Sequence, residues 1–571
     1  MNLNQCYDAR ARSRVSFVER AGMEIAMNSS NPQSFNFRDT FNMSVPLSVM
    51  LGLLLVPSAA ATGPTTYSEH VAPIFFEHCV ACHRPGQIAP MSLLSYTEAR
   101  PWAKSIARVV QAREMPPWSG ESDHREWSND ISLNDEEIAT LVRWVEQGAR
   151  EGKKEDLPTV PTFPETWALG EPDYIITLDE IAIPAEGDDL FPKQWVELDL
   201  KEAQWVRAME FLPGDRRAAH HVQTTYMQTT YNTPAMEDRK IGASNSSTTG
   251  VLGIWTAGMP PFVFPEGMGR VLQPDTRILV NSHYHPFGEA TTDRSRIGLY
   301  FGKGELKKEV ATMVVVNTGM RIAPGEANHA EHAFYTFDTD MQLVAFSPHM
   351  HLRGKSMRYD LTYPDGRVET LLNVPKYNYN WQWQYYPTEP IDVPAGSRMD
   401  VTAVWDNSPE NSFNPDPSKE IIYRGDVFNE MFVGFFEAIP KNGVYHQPLS
   451  AKEKLTSLLR AHPPEHCYLV GGFLPFGLYV PKEGEGWLYL TQGMNMFTIS
   501  LDDFAWDGKK LLVTTQLPTP EASATTTIIE AELDENGILR GMLHYGTDSE
   551  HPLNSPMAGQ PMTEILAKSM D

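Results

Sequence analysis

Apolar and polar positions change their period twice along this chain. Residues Tyr67–His78 place Val71, Ile74, Phe75 and His78 at helical spacing, and a helical pattern continues to about residue 155. Within Ser132–Arg150, SLNDEEIATLVRWVEQGAR, Asn134 and Glu137 form a capping signal. Ile138, Leu141, Val142 and Val145 make one apolar face, and Gly148 is a natural stop. Leu157–Trp167, LPTVPTFPETW, carries three prolines in eleven residues and predicts a semi-rigid extended linker over 156–168. From 169 to 440 the pattern is short alternating runs (YIITL, QWVELDL, RILVNSHYH, QLVAFSPHMH, RMDVTAVW) between Pro, Gly, Asp and Asn turns. This is an all-β stretch with room for two sandwich domains, 169–318 and 319–440. Residues 441–571 add a helix-like piece around Ala451–Arg460 and further strands (GWLYLTQGM, FTISLDDFAW, TTIIEAELD), a β-rich module without a motif.

One run is apolar enough to meet a membrane, Ser44–Ala61 (SVPLSVMLGLLLVPSAAA). It is broken by Pro46 and Pro57 and ends in Ala59-Ala60-Ala61, the small-residue pattern of a cleavage site. Residues 1–61 are therefore expected to be a leader that exports the rest to the periplasm or beyond, with a membrane anchor as the rival reading. Met43 begins a plausible leader of its own, so residues 1–42 are a candidate misplaced start and stay out of the fold reasoning. Cys6 would leave with the leader, and Cys79, Cys82 and Cys467 would remain.

At 571 residues the chain is too long for one core, and its 41% hydrophobic and 21% charged content is that of a folded globular protein. The balance of 47 Lys and Arg against 73 Asp and Glu, net −26, repels phosphate backbones and anionic lipid. Nucleic acid is thereby excluded as a partner. Four cysteines are too few for a disulfide framework, but two are three apart with a histidine next.

That motif, Cys79-Val80-Ala81-Cys82-His83, lets two thiols add to haem vinyl groups while the imidazole takes the iron as axial ligand. A zinc or redox CxxC is the rival, and it lacks partner ligands in this segment. For the sixth ligand, Met115 in Arg-Glu-Met-Pro-Pro-Trp sits in a proline-stiffened loop; His78, His124 and Met91 compete. Residues 65–155 resemble a small class I-like cytochrome c, and the resemblance favours Met115.

The β region holds three histidine groups: His220-His221, His283-Tyr284-His285 and His349-Met350-His351. Residues i and i+2 of a strand share a face roughly 6.5–7 Å apart, close enough for two imidazoles to converge on one ion. Adjacent His220 and His221 point to opposite faces unless the backbone is twisted or bulged there. The region has no cysteine for a thiolate zinc site, and no HxD or HxE stands among the three groups for a facial iron triad. Imidazole with thioether suits copper cycling between two oxidation states, and Met431 is a thioether candidate.

The order HH, HYH, HMH and then Glu430-Met431-Phe432 resembles the type II, ascorbate-dependent copper monooxygenases, the family of peptidylglycine α-hydroxylating monooxygenase and dopamine β-monooxygenase. EFLPGDRRAAHHVQ around His220, FPEGMGRVLQPDTRILVNSHYHPFG through His283 and SPHMHLRGKSM around His349 extend the likeness over roughly residues 170–440. The resemblance implies two jelly-roll-type β-sandwiches facing across a cleft, one copper on each. The fold expected is thus multidomain: a small all-α cytochrome c domain, tandem all-β sandwiches and a C-terminal β-rich module. It further implies that His220, His221 and His283 hold an electron-transfer copper, and that His349, His351 and Met431 hold the catalytic copper that meets O2. His285 has no required role in that pattern.

The sequence also departs from the family. Where the peptide-amidating branch grips a substrate carboxylate with Arg, Asn and Tyr, this chain has Ser347, Val433 and Phe435. A less charged, smaller or more apolar substrate with an activated C–H bond is expected. The cofactors implied are two copper ions and one covalently bound haem c. The partners are O2, a small organic molecule and an external electron donor, either an ascorbate-like reductant or a periplasmic redox protein. The implied electron route runs from that donor through the haem to the first copper and then the second. The competing reading is a periplasmic haem–copper electron-transfer or copper-binding protein without oxygenase activity.

Overall fold

The computed structural model describes residues 63–228, 248–337, 339–441, 451–460, 462–471, 476–484, 486–492, 495–501, 504–518, 524–545 and 553–562. The leader expected over residues 1–61 lies outside the described residues. Among those described, no helix is long and apolar enough to cross a membrane. Among the described residues β-strand is the dominant regular structure, arranged in several sheets.

Residues 67–146 carry helices: a π turn Tyr67–Val71 running into Ala72–His78, then Tyr96–Ala99, Ala103–Gln111 and Asp135–Glu146. The capping box forms as the spacing predicts, with Asn134 and Glu137 exchanging side-chain and backbone bonds. The buried face of that helix differs in one respect. Trp144 and Leu141 are fully buried, while Val142 is only half-buried. A large indole at 144 dominates the face, and Val142 sits about 100° round the helix from Leu141. Tyr67, Phe75 and Trp144 pack edge to face, with ring centroids 6.2 Å (Tyr67–Phe75) and 6.4 Å (Phe75–Trp144) apart. Backbone bonds from Tyr67 to Arg150 and from Ser68 to Glu151, both 2.9 Å, close the segment on itself.

The proline-rich segment is docked. The Arg84 guanidinium lies 3.8 Å over the Phe163 ring, and Trp167 is buried.

Beyond it, two sheets share one core. One has the order Tyr174–Thr177, Arg296–Phe301, Gln204–Leu212, Met268–Leu272, Lys308–Glu309; the other Lys193–Glu197, Arg277–Tyr284, Ala219–Gln228, Thr248–Thr256. Val206, Phe211, Val222, Leu252, Ile278, Val280 and Ile297 fill the space between them. Ala311–Val316 already pairs with Val433–Pro440, so the change to the next pair of sheets falls just before Ala311, ahead of the boundary expected at 318/319. That second pair has the orders Ala311–Val316, Val433–Pro440, Met341–His349, Ile391–Val393 and His329–Thr336, Arg398–Trp405, Gly354–Thr362, Val368–Val374. The helix expected near 451–460 is Ala451–Leu459.

The C-terminal strands form one nine-stranded antiparallel sheet with Cys467–Gly471 beside Leu553–Pro561. Its strand Asn495–Ser500 lies along Ala311–Val316. Thr498 Oγ1 donates to the Val316 carbonyl at 3.1 Å and Ser500 N to Asn317 Oδ1 at 3.2 Å. The module thereby covers an edge strand of the neighbouring sheet.

Candidate metal centres and the CxxCH segment

His220 and His221 stand at the start of strand Ala219–Gln228, which pairs with Arg277–Tyr284 bearing His283. The register shifts between Ala219 and His221, the bulge that adjacent histidines need in order to face one partner. His283 accordingly has His220 stacked on it at 5.0 Å and His221 edge-on at 4.8 Å between centroids. His221 and His283 bring their Nδ1 atoms to 3.3 Å, and His220 Nδ1 is buried with no hydrogen-bond partner. An orphaned imidazole nitrogen beside two others is costly in a protein interior unless something binds it.

Asp189, which the sequence did not single out, orients this group. Its carboxylate accepts from His283 Nε2 at 2.9 Å and from His285 Nδ1 at 2.6 Å. His285 is thus tied to His283 through one acid, and its own ring is exposed. The two histidine partners hold Asp189 well below the usual carboxylate range against its burial.

His349 ends the strand Met341–His349 and pairs with Val433; His351 follows, with ring centroids 5.3 Å apart and planes at 85°. The ladder ends at the His349–Val433 pair; Met431, two residues before Val433, is buried. Glu430 ties the stretch that carries Met431 to His351. Its carboxylate accepts from the backbone N–H of His351 at 2.7 Å and of Arg353 at 2.6 Å, and from Trp405 Nε1 at 3.1 Å. Burial pushes Glu430 up to about 7, while these N–H donors pull it back.

Hydrogen bonds also select the tautomers. His349 Nδ1 lies 2.7 Å from Gln382 Oε1 and His351 Nδ1 lies 3.0 Å from the Asn429 carbonyl. Each acceptor requires the proton on Nδ1, which leaves Nε2 as the basic nitrogen of both rings. Burial, then neighbouring imidazoles, pushes His220 and His351 down to about 3, and burial lowers His221 and His349 as well. All four rings are therefore neutral near pH 7, the state in which imidazole binds metal. As the side chains stand, no group of three or more His, Cys, Asp or Glu among the described residues closes into a cage. What stands is a cluster of three imidazoles with an orphaned nitrogen, and an imidazole pair joined through Glu430 to the stretch that carries a buried thioether.

In the helical segment, the helix Ala72–His78 delivers Cys79 at its C-cap. His83 Nδ1 lies 3.3 Å from the Met91 carbonyl, so the proton is again on Nδ1 and Nε2 is left basic. Both thiols are raised by burial, Cys79 to about 12 and Cys82 to about 11. Of the rivals for the second axial position, His78 has both ring nitrogens engaged, with Ile131 O at 3.2 Å and Glu137 at 3.3 Å. Met91 is held at the Nδ1 edge of His83, and His124 is exposed. Met115 is half-buried at the start of the loop that follows Ala103–Gln111.

Cys82 and the His220 backbone are linked through one residue. Cys82 Sγ is 3.4 Å from the Ala257 carbonyl, and Ala257 N donates to the His220 carbonyl at 2.9 Å. Gly258, at φ +88°, has no room for a Cβ because the Cys82 sulfur occupies it. A cavity of about 410 Å³ opens nearby between helical segment, linker and first sheet, lined by Arg84, Phe163, Arg216, Trp255 and Met259 among others. None of the clustered histidines lines it.

No protein-family model matches the chain, and no curated protein matches it.

Proposed function

We propose that this chain is an exported copper- and haem c-containing monooxygenase that hydroxylates a C–H bond of a small, weakly charged organic molecule with O2. On this reading the helical segment is a class I-like cytochrome c, and the two sheet pairs are the jelly-roll-type halves of a type II copper monooxygenase. The observation that carries it is the pairing of two dissimilar donor sets. A backbone bulge turns His220 and His221 to His283 on one pair of sheets, while on the other Glu430 binds the backbone of His351 and so ties the His349–His351 pair to the stretch that carries buried Met431.

Copper bound at these sets supplies one-electron storage at the all-imidazole site and O2 chemistry at the thioether site, and haem c at Cys79, Cys82 and His83 supplies electrons from outside. The chain's own residues do the rest. Asp189, Gln382 and Asn429 hold protons on chosen ring nitrogens. Asp189 also braces His283, which Phe191 backs by stacking at 4.7 Å. Beside His349, Ser347 and Val433 are buried and the Phe435 ring lies 6.2 Å away. A substrate carboxylate would find no cation among these three, which favours an uncharged molecule. Contact of Cys82 with Ala257 places the haem-bearing segment against the His220 strand.

The test is elemental analysis with a pyridine haemochrome assay, followed by turnover under ¹⁸O2. Two coppers and one iron per chain, with label in the hydroxylated product, are expected. Oxygen uptake with no label in the product would make the protein an oxidase. Full metal loading without oxygen uptake would make it an electron carrier.

A further inference from the structure

Gln382 is buried, and its amide touches both histidine groups. Oε1 lies 2.7 Å from His349 Nδ1, and Nε2 lies 3.2 Å from His221 Nε2. The same Nε2 lies 3.2 Å from the Tyr379 carbonyl, which only accepts, so the amide nitrogen is on the His221 side. Thr256 Oγ1 donates to the Gln382 carbonyl at 2.9 Å and fastens residue 382 to the strand that pairs with His221.

An amide has one accepting and one donating end. His349 meets the acceptor, keeps its proton on Nδ1 and frees Nε2. His221 meets the donor, so its Nε2 must accept and the proton of the neutral ring sits on Nδ1, 3.3 Å from His283 Nδ1. That Nδ1 is the nitrogen that faces the His283 ring and so the one the cluster would need bare. Turning the amide over exchanges the two conditions and satisfies both at once in neither case.

We propose that Gln382 couples the two sites: its hydrogen-bond polarity suits metal at the His349–His351–Met431 set and opposes it at the His220–His221–His283 set. The proposal rests on the copper reading above. Metal fills the thioether set with the Gln382 bridge intact. It fills the all-imidazole set only as the Gln382–His221 bond breaks, which releases a link between the two sheet pairs.

The test is titration of the full-length, copper-free protein with Cu(I) against a chromogenic chelator. His283→Ala and His351→Ala backgrounds read one set at a time. Gln382→Glu supplies an acceptor at both ends. It is expected to tighten the all-imidazole set relative to the thioether set by about tenfold, the worth of one ordinary hydrogen bond. Added negative charge alone would tighten both alike. Gln382→Met removes both bonds without adding charge and is expected to move the ratio the same way. Parallel changes at the two sets in both variants, or no change, overturn the coupling. A wild-type protein that binds copper at neither set overturns the copper reading itself.

Discussion

Glu430 shows how one buried side chain sets the position of others. Its carboxylate is the acceptor for three N–H groups on two separate stretches of chain. Glu430→Ala strands those donors, and at about 1–3 kcal/mol for each buried unsatisfied group the expected loss is at least about 3 kcal/mol. Chemical denaturation of the copper-free protein measures it, and a loss under about 1 kcal/mol would mean that water replaces the carboxylate. Met431→Ile keeps apolar bulk while removing the thioether. It is expected to lower bound copper by one ion per chain, leaving the haem absorption unchanged, as metal analysis and visible spectra would record. The histidines and Met431 were legible in the sequence because imidazole and thioether are few and their chemistry is narrow. Asp189 and Gln382 were not. Carboxylates and amides are common, and their partners lie 33 to 161 residues away in the chain. The one available signal was the alternation Trp381-Gln382-Trp383-Gln384, amides set between large aromatics.

Among the secondary-structure elements, two local irregularities position the chemistry. The bulge at Ala219–His221 is one, and its need was readable from two adjacent histidines, although its existence was not. The turn at Gly258 is the other. Gly258→Ala introduces a Cβ into the space of the Cys82 sulfur at a backbone angle of φ +88°. The expected cost is about 1–3 kcal/mol, taken where the helical segment meets the β region. Faster proteolysis within residues 157–166 would report it, and an unchanged cleavage rate would show that this contact does not hold the segment down. The helical periodicity of 132–150 placed the capping box correctly, yet ranked Val142 above Trp144. Period alone does not know which neighbour offers a cavity the size of an indole.

Across the whole molecule, the helical segment is held at two places. Beyond the Cys82 contact, Trp118 packs on Trp383 and Tyr385 at 5.6 and 4.9 Å, and Trp127 packs on Tyr385 at 5.6 Å. Trp383 Nε1 donates to the Pro117 carbonyl at 2.6 Å, in the residue next to Gln382. The helical segment therefore contacts the first sheet pair through Cys82 and the second through the loop after Met115. Stability of the copper-free protein should fall in acid for a related reason. His220 and His351 stay neutral down to about 3 when folded, whereas unfolded imidazoles titrate near 6.5. Between those values the unfolded chain takes up protons that the folded chain refuses, so each ring removes about 1.4 kcal/mol per unit of falling pH. Above 6.5 these rings contribute no slope. Glu430, raised to about 7 from 4.5, acts with the opposite sign and offsets about one ring over their common window. A falling Tm from pH 7 to pH 5 is expected, and a flat one would show the rings to be hydrated.

Period-2 and period-3.6 patterning, turn residues and rare chemical types are local properties, and the chain alone settled what they report: helices first, strands after, a CxxCH at a helix end and three histidine groups on strands. Which imidazole nitrogen carries the proton, which acid braces His283, and whether two adjacent histidines share a partner depend on groups far apart in sequence. Those follow from strand register and domain docking, where hydrogen-bond direction is decided by contacts that no local pattern encodes.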